Sequence, residues 1–208
     1  MADSDCVKTA AAAPRRGSIC TITGPMFSRK STTLAGEKER AERARRTTVL
    51  FVPSCDNRYD AGGSSLATHD GLRVAAHGLD KNVPLLETTR AYDAEIEKAD
   101  VVLVDECQWF VGLYDFCLEM SRRGKRVVVA GLTNKSDLSQ FGETSRVVAI
   151  AQRRVHLDAV CVVCTEDAQF TGLTADSHAR NAANGEYVGA VGDYVALCNT
   201  CYFATAAK

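Results

Sequence analysis

Residues 18–33, SICTITGPMFSRKSTT, lead a short apolar run into Gly24, Pro25, Met26, Phe27, Ser28, Arg29, Lys30 and Ser31. With one exception this is the phosphate-binding pattern G-x-x-x-x-G-K-[ST]. In it, backbone N–H groups wrap a phosphate, the lysine reaches its oxygens and the hydroxyl holds Mg²⁺. The exception is Arg29, which stands where the pattern has glycine. A strand over 18–23 and a helix opening near Lys30 are the flanks such a loop requires. The stretch therefore predicts an α/β fold organised around a nucleotide phosphate.

The following helix, LAGEKERAERARR, has only Leu34, Ala35, Ala41 and Ala44 as apolar residues. Its i,i+4 pairs, Glu39 with Arg43 and Glu42 with Arg46, support a helix with a thin apolar stripe and a wet face. Acids interleave its bases, so a solvated surface fits it better than an RNA-binding patch. Residues 47–53, TTVLFVP, form a continuous apolar run, as a parallel strand covered on both faces should. The polar stretch after it contains Asp56, Asn57, Arg58, His69 and Asp70. It is a loop beyond a strand's carboxyl end, where α/β folds place ligand contacts, although a plain solvated loop reads equally well.

A short helix over 93–100 precedes Val101, Val102, Leu103 and Val104, a buried strand ending on Asp105 and Glu106. Roughly seventy residues after the phosphate loop, Asp105 is placed to hold Mg²⁺ and Glu106 to take a proton from an attacking hydroxyl. A helix over 112–123 has Leu113, Phe116, Cys117 and Met120 on its core face. The strand 125–132 then runs into a polar loop of lid-like length. Alternating helices and covered strands predict a three-layer fold with a mostly parallel sheet.

Bulk properties exclude several classes. The chain has 208 residues, 46% hydrophobic and 25% charged, with a net charge of −1, which gives no electrostatic footprint for nucleic acid or an anionic membrane. It has no apolar run of about 18 residues, the length needed to span a bilayer. Residues 1–17 read as a disordered tail rather than a signal peptide. Of nine cysteines, Cys6, Cys20, Cys55, Cys107 and Cys117 are scattered, whereas Cys161, Cys164, Cys198 and Cys201 form two C-x₂-C pairs. Two such knuckles complete a closed, structural Cys₄ zinc site; an iron–sulfur cluster or a redox pair are the alternatives. The pattern suits a reducing, cytoplasmic compartment. We divide the chain into a tail, 1–17, a nucleotide-binding domain, 18–158, and a zinc-binding domain, 159–208.

Taken together, G-P-M-F-S-x-K-S-T, D-x-R-Y at Asp56, Arg58 and Tyr59, T-H-D at 68–70, D-E-x-Q at Asp105, Glu106 and Gln108, and the two C-x₂-C pairs resemble the type II, cellular thymidine kinases. The resemblance covers about 18–203 and also takes in Cys201, Tyr202 and Phe203. It implies transfer of the γ-phosphoryl of ATP, with Mg²⁺, to the 5′-hydroxyl of thymidine or a related deoxynucleoside. It also implies a RecA-like P-loop core with a small zinc domain, usually as a homotetramer. By the resemblance, residues 24–31 with Asp56, Asn57, Arg58, Asp105 and Gln108 bind ATP, Ser31 and Asp105 place Mg²⁺, and Glu106 is the base. Leu132, Phe141, Thr171, Tyr194 and the segment Gly185, Glu186, Tyr187, Val188 and Gly189 would meet the nucleoside.

The sequence departs from the family at Arg29, at Thr133 and Ser136 of the lid, at Leu173 and in the charge of the first helix. A non-glycine residue at positive φ costs about 1–2 kcal/mol, which alone leaves an enzyme active. Loss of the lid aromatic removes stacking of about 1–3 kcal/mol. Two readings follow. The first is a thymidine kinase of altered efficiency. The second is a catalytically impaired paralogue acting as a structural or regulatory nucleotide-binding subunit, in a hetero-oligomer with an active copy.

Overall fold

The computed structural model describes residues 17–54, 65–67, 73–174, 177 and 191–206. The expected tail thus lies outside the described residues except for Gly17. In chain order the elements are β1 (Ser18–Thr23), α1 (Lys30–Arg43), β2 (Thr48–Pro53), β3 (Ser65–Ala67), β4 (Arg73–Ala75), β5 (His77–Leu79), α2 (Leu85–Thr88), α3 (Asp93–Lys98) and β6 (Val101–Val104). They continue with α4 (Leu113–Arg122), β7 (Arg126–Gly131), α5 (Thr144–Ile150), β8 (Arg153–His156), β9 (Ala159–Val160), β10 (Asp167–Ala168), β11 (Phe170–Leu173), β12 (Tyr194–Leu197) and α6 (Asn199–Ala206).

Six strands form one sheet in the order β5-β2-β6-β7-β1-β8, and every pairing in it is parallel. Successive side chains on a strand point to opposite faces, so each apolar run divides between two cores. Ile19, Val49, Phe51, Val102, Val104, Val127 and Val129 pack with Phe116, Cys117 and Met120 of α4 and Val147 of α5. Cys20, Ile22, Leu50, Val52, Leu103, Val128 and Ala130 pack with Leu34, Ala35 and Ala41 of α1. Helices on both faces explain why the central strands read as unbroken apolar runs rather than alternating ones.

The sequence predicted the four inner strands of this sheet, and the structure adds an edge strand on each side. β5 is only His77, Gly78 and Leu79, and β8 is Arg153, Arg154, Val155 and His156 with mostly exposed side chains. An edge strand is covered less, so it lacks the run that reveals a central one. The charge pattern of α1 also needs correction. Glu39 bonds Arg43 at 2.6 Å as expected, but Glu42 bonds Lys38 at 2.5 Å and Thr48 at 3.0 Å rather than Arg46. The helix stops at Arg43 and Arg45 turns to φ 57, carrying Arg46 off the helical face. Ala44 is correspondingly exposed rather than part of the stripe.

One acid of α1, Glu37, is buried, and nothing in its local spacing marks it. The carboxylate of Glu37 accepts hydrogen bonds from Arg126 at 2.6 Å and Arg153 at 2.8 Å, tying the helix to the first residues of β7 and β8. Burial pulls this carboxyl upward, but the two guanidinium groups together hold it below its ordinary value. Glu37→Gln should lower the unfolding free energy by about 2 kcal/mol, the scale of charge-assisted hydrogen bonds. Because the folded pKa is the depressed one, that stability is present above about pH 4.3 and is lost as pH falls through the folded value. Urea melts at pH 7 and pH 3 should therefore show a smaller wild-type advantage at pH 3 than at pH 7.

Candidate active site

β1 ends at Thr23, and the chain turns at Gly24 into the phosphate loop. Gly24 has φ 146, and a Cβ there would lie 2.2 Å from the carbonyl oxygen of Leu157, so only glycine fits. The Pro25 carbonyl accepts from Ser28 Oγ at 2.8 Å and from Lys30 Nζ at 2.7 Å, folding the loop back upon itself. Arg29 adopts φ 65, ψ 30 as the residue before α1, the left-handed region that the pattern's glycine favours. Its carbonyl nevertheless accepts from the Thr33 amide at 2.9 Å, and the loop closes normally into the helix.

Ser31, in the first turn of α1, donates to Asp105 Oδ2 at 2.8 Å. Asp105 is buried at the carboxyl end of β6, where its amide bonds the Phe51 carbonyl. Burial, and next the negative charge of Glu106, push its pKa up to about 7, against the Ser31 hydrogen bond and the Lys30 charge. A hydroxyl and a buried carboxylate meeting beside a second acid form a hard oxygen set short of positive charge, which suits Mg²⁺.

Glu106 stands at φ 47, a left-handed turn that redirects the chain sharply after β6. Its Oε2 accepts from Gln108 Nε2 at 2.5 Å, and Gln108 Oε1 accepts from the Leu132 amide at 3.0 Å. Buried Gln108 thus struts Glu106 against the start of the lid. Phe141, at the far end of the lid, packs edge-on against Trp109 with ring centroids 4.8 Å apart. Lys81 Nζ lies 4.5 Å from the Trp109 ring centroid. Sequence reasoning missed Trp109, although a lone tryptophan directly after an acid pair and glutamine was the available signal.

Across the site, the Met26 amide donates to Thr171 Oγ1 at 3.0 Å, joining the phosphate loop to β11. β11 pairs antiparallel with β12, which sets Leu173 opposite Tyr194. The sulfurs of Cys161, Cys164, Cys198 and Cys201 lie within 4.8 Å of one another, and Cys164 and Cys198 are 3.5 Å apart. Tetrahedral sulfurs on one metal ion would be about 3.8 Å apart, so the donor set fits a closed four-coordinate site. Backbone N–H groups, chiefly that of Cys198, bring the Cys161 thiol down to about 6. Hydrogen bonding among the crowded sulfurs, led by Cys198, pushes Cys201 up to about 12.

This arrangement can be compared with known proteins. The family model described as thymidine kinase matches residues 17–202. The chain belongs to the thymidine kinase family. It is 35% identical to a thymidine kinase of Bacteroides thetaiotaomicron over 191 residues, covering 90% of this chain and 88% of that protein. It is 33% identical to the cytosolic thymidine kinase of Gallus gallus, covering 90% and 78%. It is 28% identical to the thymidine kinase of Choristoneura biennis entomopoxvirus, covering 89% and 96%. By shape it is also similar to the Legionella pneumophila ATPase DotB, with a TM-score of 0.44, 18% identity and coverage of 75% of this chain and 44% of that one, a likeness too distant to bear on function.

Of the residues the thymidine kinase resemblance singled out, the structure brings Lys30, Ser31, Asp105, Glu106, Gln108, Leu132 and Phe141 into one connected group. It joins Met26 to Thr171 beside them. Asp56, Asn57 and Arg58, with Gly185, Glu186, Tyr187, Val188 and Gly189, lie outside the described residues. The strain at Arg29 can be measured. Arg29→Gly is expected to raise the unfolding free energy by about 1 kcal/mol and Arg29→Val to lower it. Equal stability of the three proteins in urea would contradict the assignment.

Proposed function

We propose that this thymidine kinase transfers the γ-phosphoryl group of ATP to the 5′-hydroxyl of thymidine, or of a closely related deoxynucleoside, in salvage for DNA synthesis. The observation that carries the reading is the Ser31–Asp105 hydrogen bond, with Lys30 on one side and Glu106 on the other. Lys30 and the backbone of residues 24–31 would hold the phosphates, with Asp56, Asn57 and Arg58 nearby. Ser31 and Asp105 would hold Mg²⁺, which when bound neutralises the charge on the transferring phosphoryl group. Glu106, oriented by Gln108, would accept the proton of the 5′-hydroxyl as its oxygen attacks the γ-phosphorus and ADP departs. Trp109 and Phe141 would offer the base an apolar wall, with Leu132, Thr171, residues 185–189 and Tyr194 completing the pocket.

Cys161, Cys164, Cys198 and Cys201 would hold Zn²⁺ as a structural centre. The division at 158/159 accords with a third, separate apolar cluster of Ala159, Cys161, Ala168, Ala196, Leu197 and Tyr202. The homotetramer belongs to this reading through the family resemblance. A cytoplasmic location agrees with the charge and cysteine pattern, and among the described residues no helix is long and apolar enough to cross a membrane. No observation favours the impaired paralogue: Arg29 occupies the glycine's backbone conformation, and the acid pair, lysine and glutamine remain connected.

With ATP, Mg²⁺ and thymidine, the purified protein should form thymidine monophosphate, and Glu106→Gln should lower kcat by about 10²–10⁴-fold. A wild-type protein without thymidine-dependent turnover would sink the proposal. Elemental analysis should find close to one zinc per chain, and a metal-free, folded protein would remove the structural centre.

A further inference from the structure

Tyr202 follows the last cysteine and lies in α6, whose first turn wraps the thiol cluster: the Tyr202 amide bonds the Cys198 carbonyl at 2.9 Å and the Cys201 amide approaches Cys198 Sγ at 3.5 Å. Its side chain reaches from there to the lid. The Tyr202 hydroxyl donates to the Ser136 carbonyl, in the middle of the lid, at 2.5 Å across 66 residues of sequence. Its ring packs on Phe170 and Phe203 with centroids 5.1 Å and 5.3 Å away, so the hydroxyl is held on a fixed platform. Leu138 of the lid packs into the same apolar cluster.

The lid has its own internal scaffold. The Phe141 amide bonds the Thr133 carbonyl at 2.9 Å, the Lys135 amide bonds the Ser139 carbonyl at 2.9 Å, and Asn134 Nδ2 bonds the Leu138 carbonyl at 2.8 Å. It also carries strain, because Leu138 sits at φ 65, a region a γ-branched residue seldom adopts. Such a conformation persists when its surroundings over-determine it, and here they are Tyr202, the cluster and Asn134. These bonds tie the lid together between its ends at Leu132 and Phe141, and those ends touch Gln108 and Trp109.

We propose that Tyr202 is a positioning residue that latches the lid through the Ser136 carbonyl, holding Leu132 and Phe141 in place for the nucleoside. The latch makes the C-terminal helix part of the nucleoside site without touching the substrate. It also explains how the lid works with serine at 136: the backbone carbonyl makes the contact, whatever the side chain. The kinetic part of the proposal rests on the thymidine kinase reading above, whereas the latch itself does not.

Tyr202→Phe removes the hydroxyl and keeps the ring platform. In the zinc-loaded protein, hydrogen exchange of the Lys135, Leu138 and Phe141 amides is expected to quicken about fivefold, the equilibrium factor of one neutral hydrogen bond. Exchange in β7 and the thermal midpoint should stay close to wild type. The KM for thymidine should rise by a similar factor while kcat and the KM for ATP change less than about twofold, a split that a general loss of stability does not produce. Leu138→Ala, a change confined to the lid, should quicken exchange of the same amides. Unchanged lid exchange in Tyr202→Phe, with Leu138→Ala showing that the same amides respond to loosening of the lid, would overturn the latch. Absence of wild-type turnover would overturn the kinase reading instead, and the exchange contrast would still decide the latch.

Discussion

The hydrogen bond between Ser31 and Asp105 spans 74 residues and fixes where everything around it must stand. Ser31 belongs to the helix that follows β1, Asp105 to the end of β6, and β7 lies between those two strands. For the pair to meet, α1 must cross the face of β7. That strand ends on Gly131, where a Cβ would lie 2.4 Å from Gln108 Oε1 and 2.6 Å from Cys107 Sγ, so the glycine makes room for the residues that follow the acid pair. The small Ala130 and Val128 beneath α1 permit the close approach, and Glu37 fastens the helix at its other side to Arg126 and Arg153. Sheet order and helix position are thus tied to a single polar contact.

Strain gathers in the same region. Six described residues other than glycine have positive φ, and four of them are Phe27 and Arg29 in the phosphate loop, Glu106 in the acid pair and Leu138 in the lid. Each costs about 1–2 kcal/mol relative to a relaxed backbone. A two-sided apolar core offsets such terms, which is why the sheet is so thoroughly covered around the site. Arg29 belongs to this group. Its side chain differs from the pattern's glycine, yet its backbone takes the left-handed conformation that the glycine favours.

Much of this was legible in the residues. Apolar runs at 18–23, 47–53, 101–104 and 125–132 revealed the four inner strands because both faces of the sheet are covered. The lysine, serine and acid pair announced the phosphate chemistry, and two C-x₂-C pairs announced the thiol cluster. What escaped were features made by distant partners. Glu37 looks like any other charge on a wet helix until two arginines from different strands meet it. β8 reads as a polar linker because an edge strand has no neighbour on one side. Trp109 and Tyr202 act through the lid, and nothing in local spacing says that residue 202 bonds residue 136.

The proposed function turns on Ser31 and Asp105 together holding the magnesium of a bound nucleotide. It is tested most directly by titrating ATP into wild type and Ser31→Ala, with Mg²⁺ and with chelator. Mg²⁺ should tighten ATP binding to wild type, and at least tenfold of that gain, about 1.4 kcal/mol, should be lost in Ser31→Ala. Equal magnesium dependence in the two proteins would contradict the account.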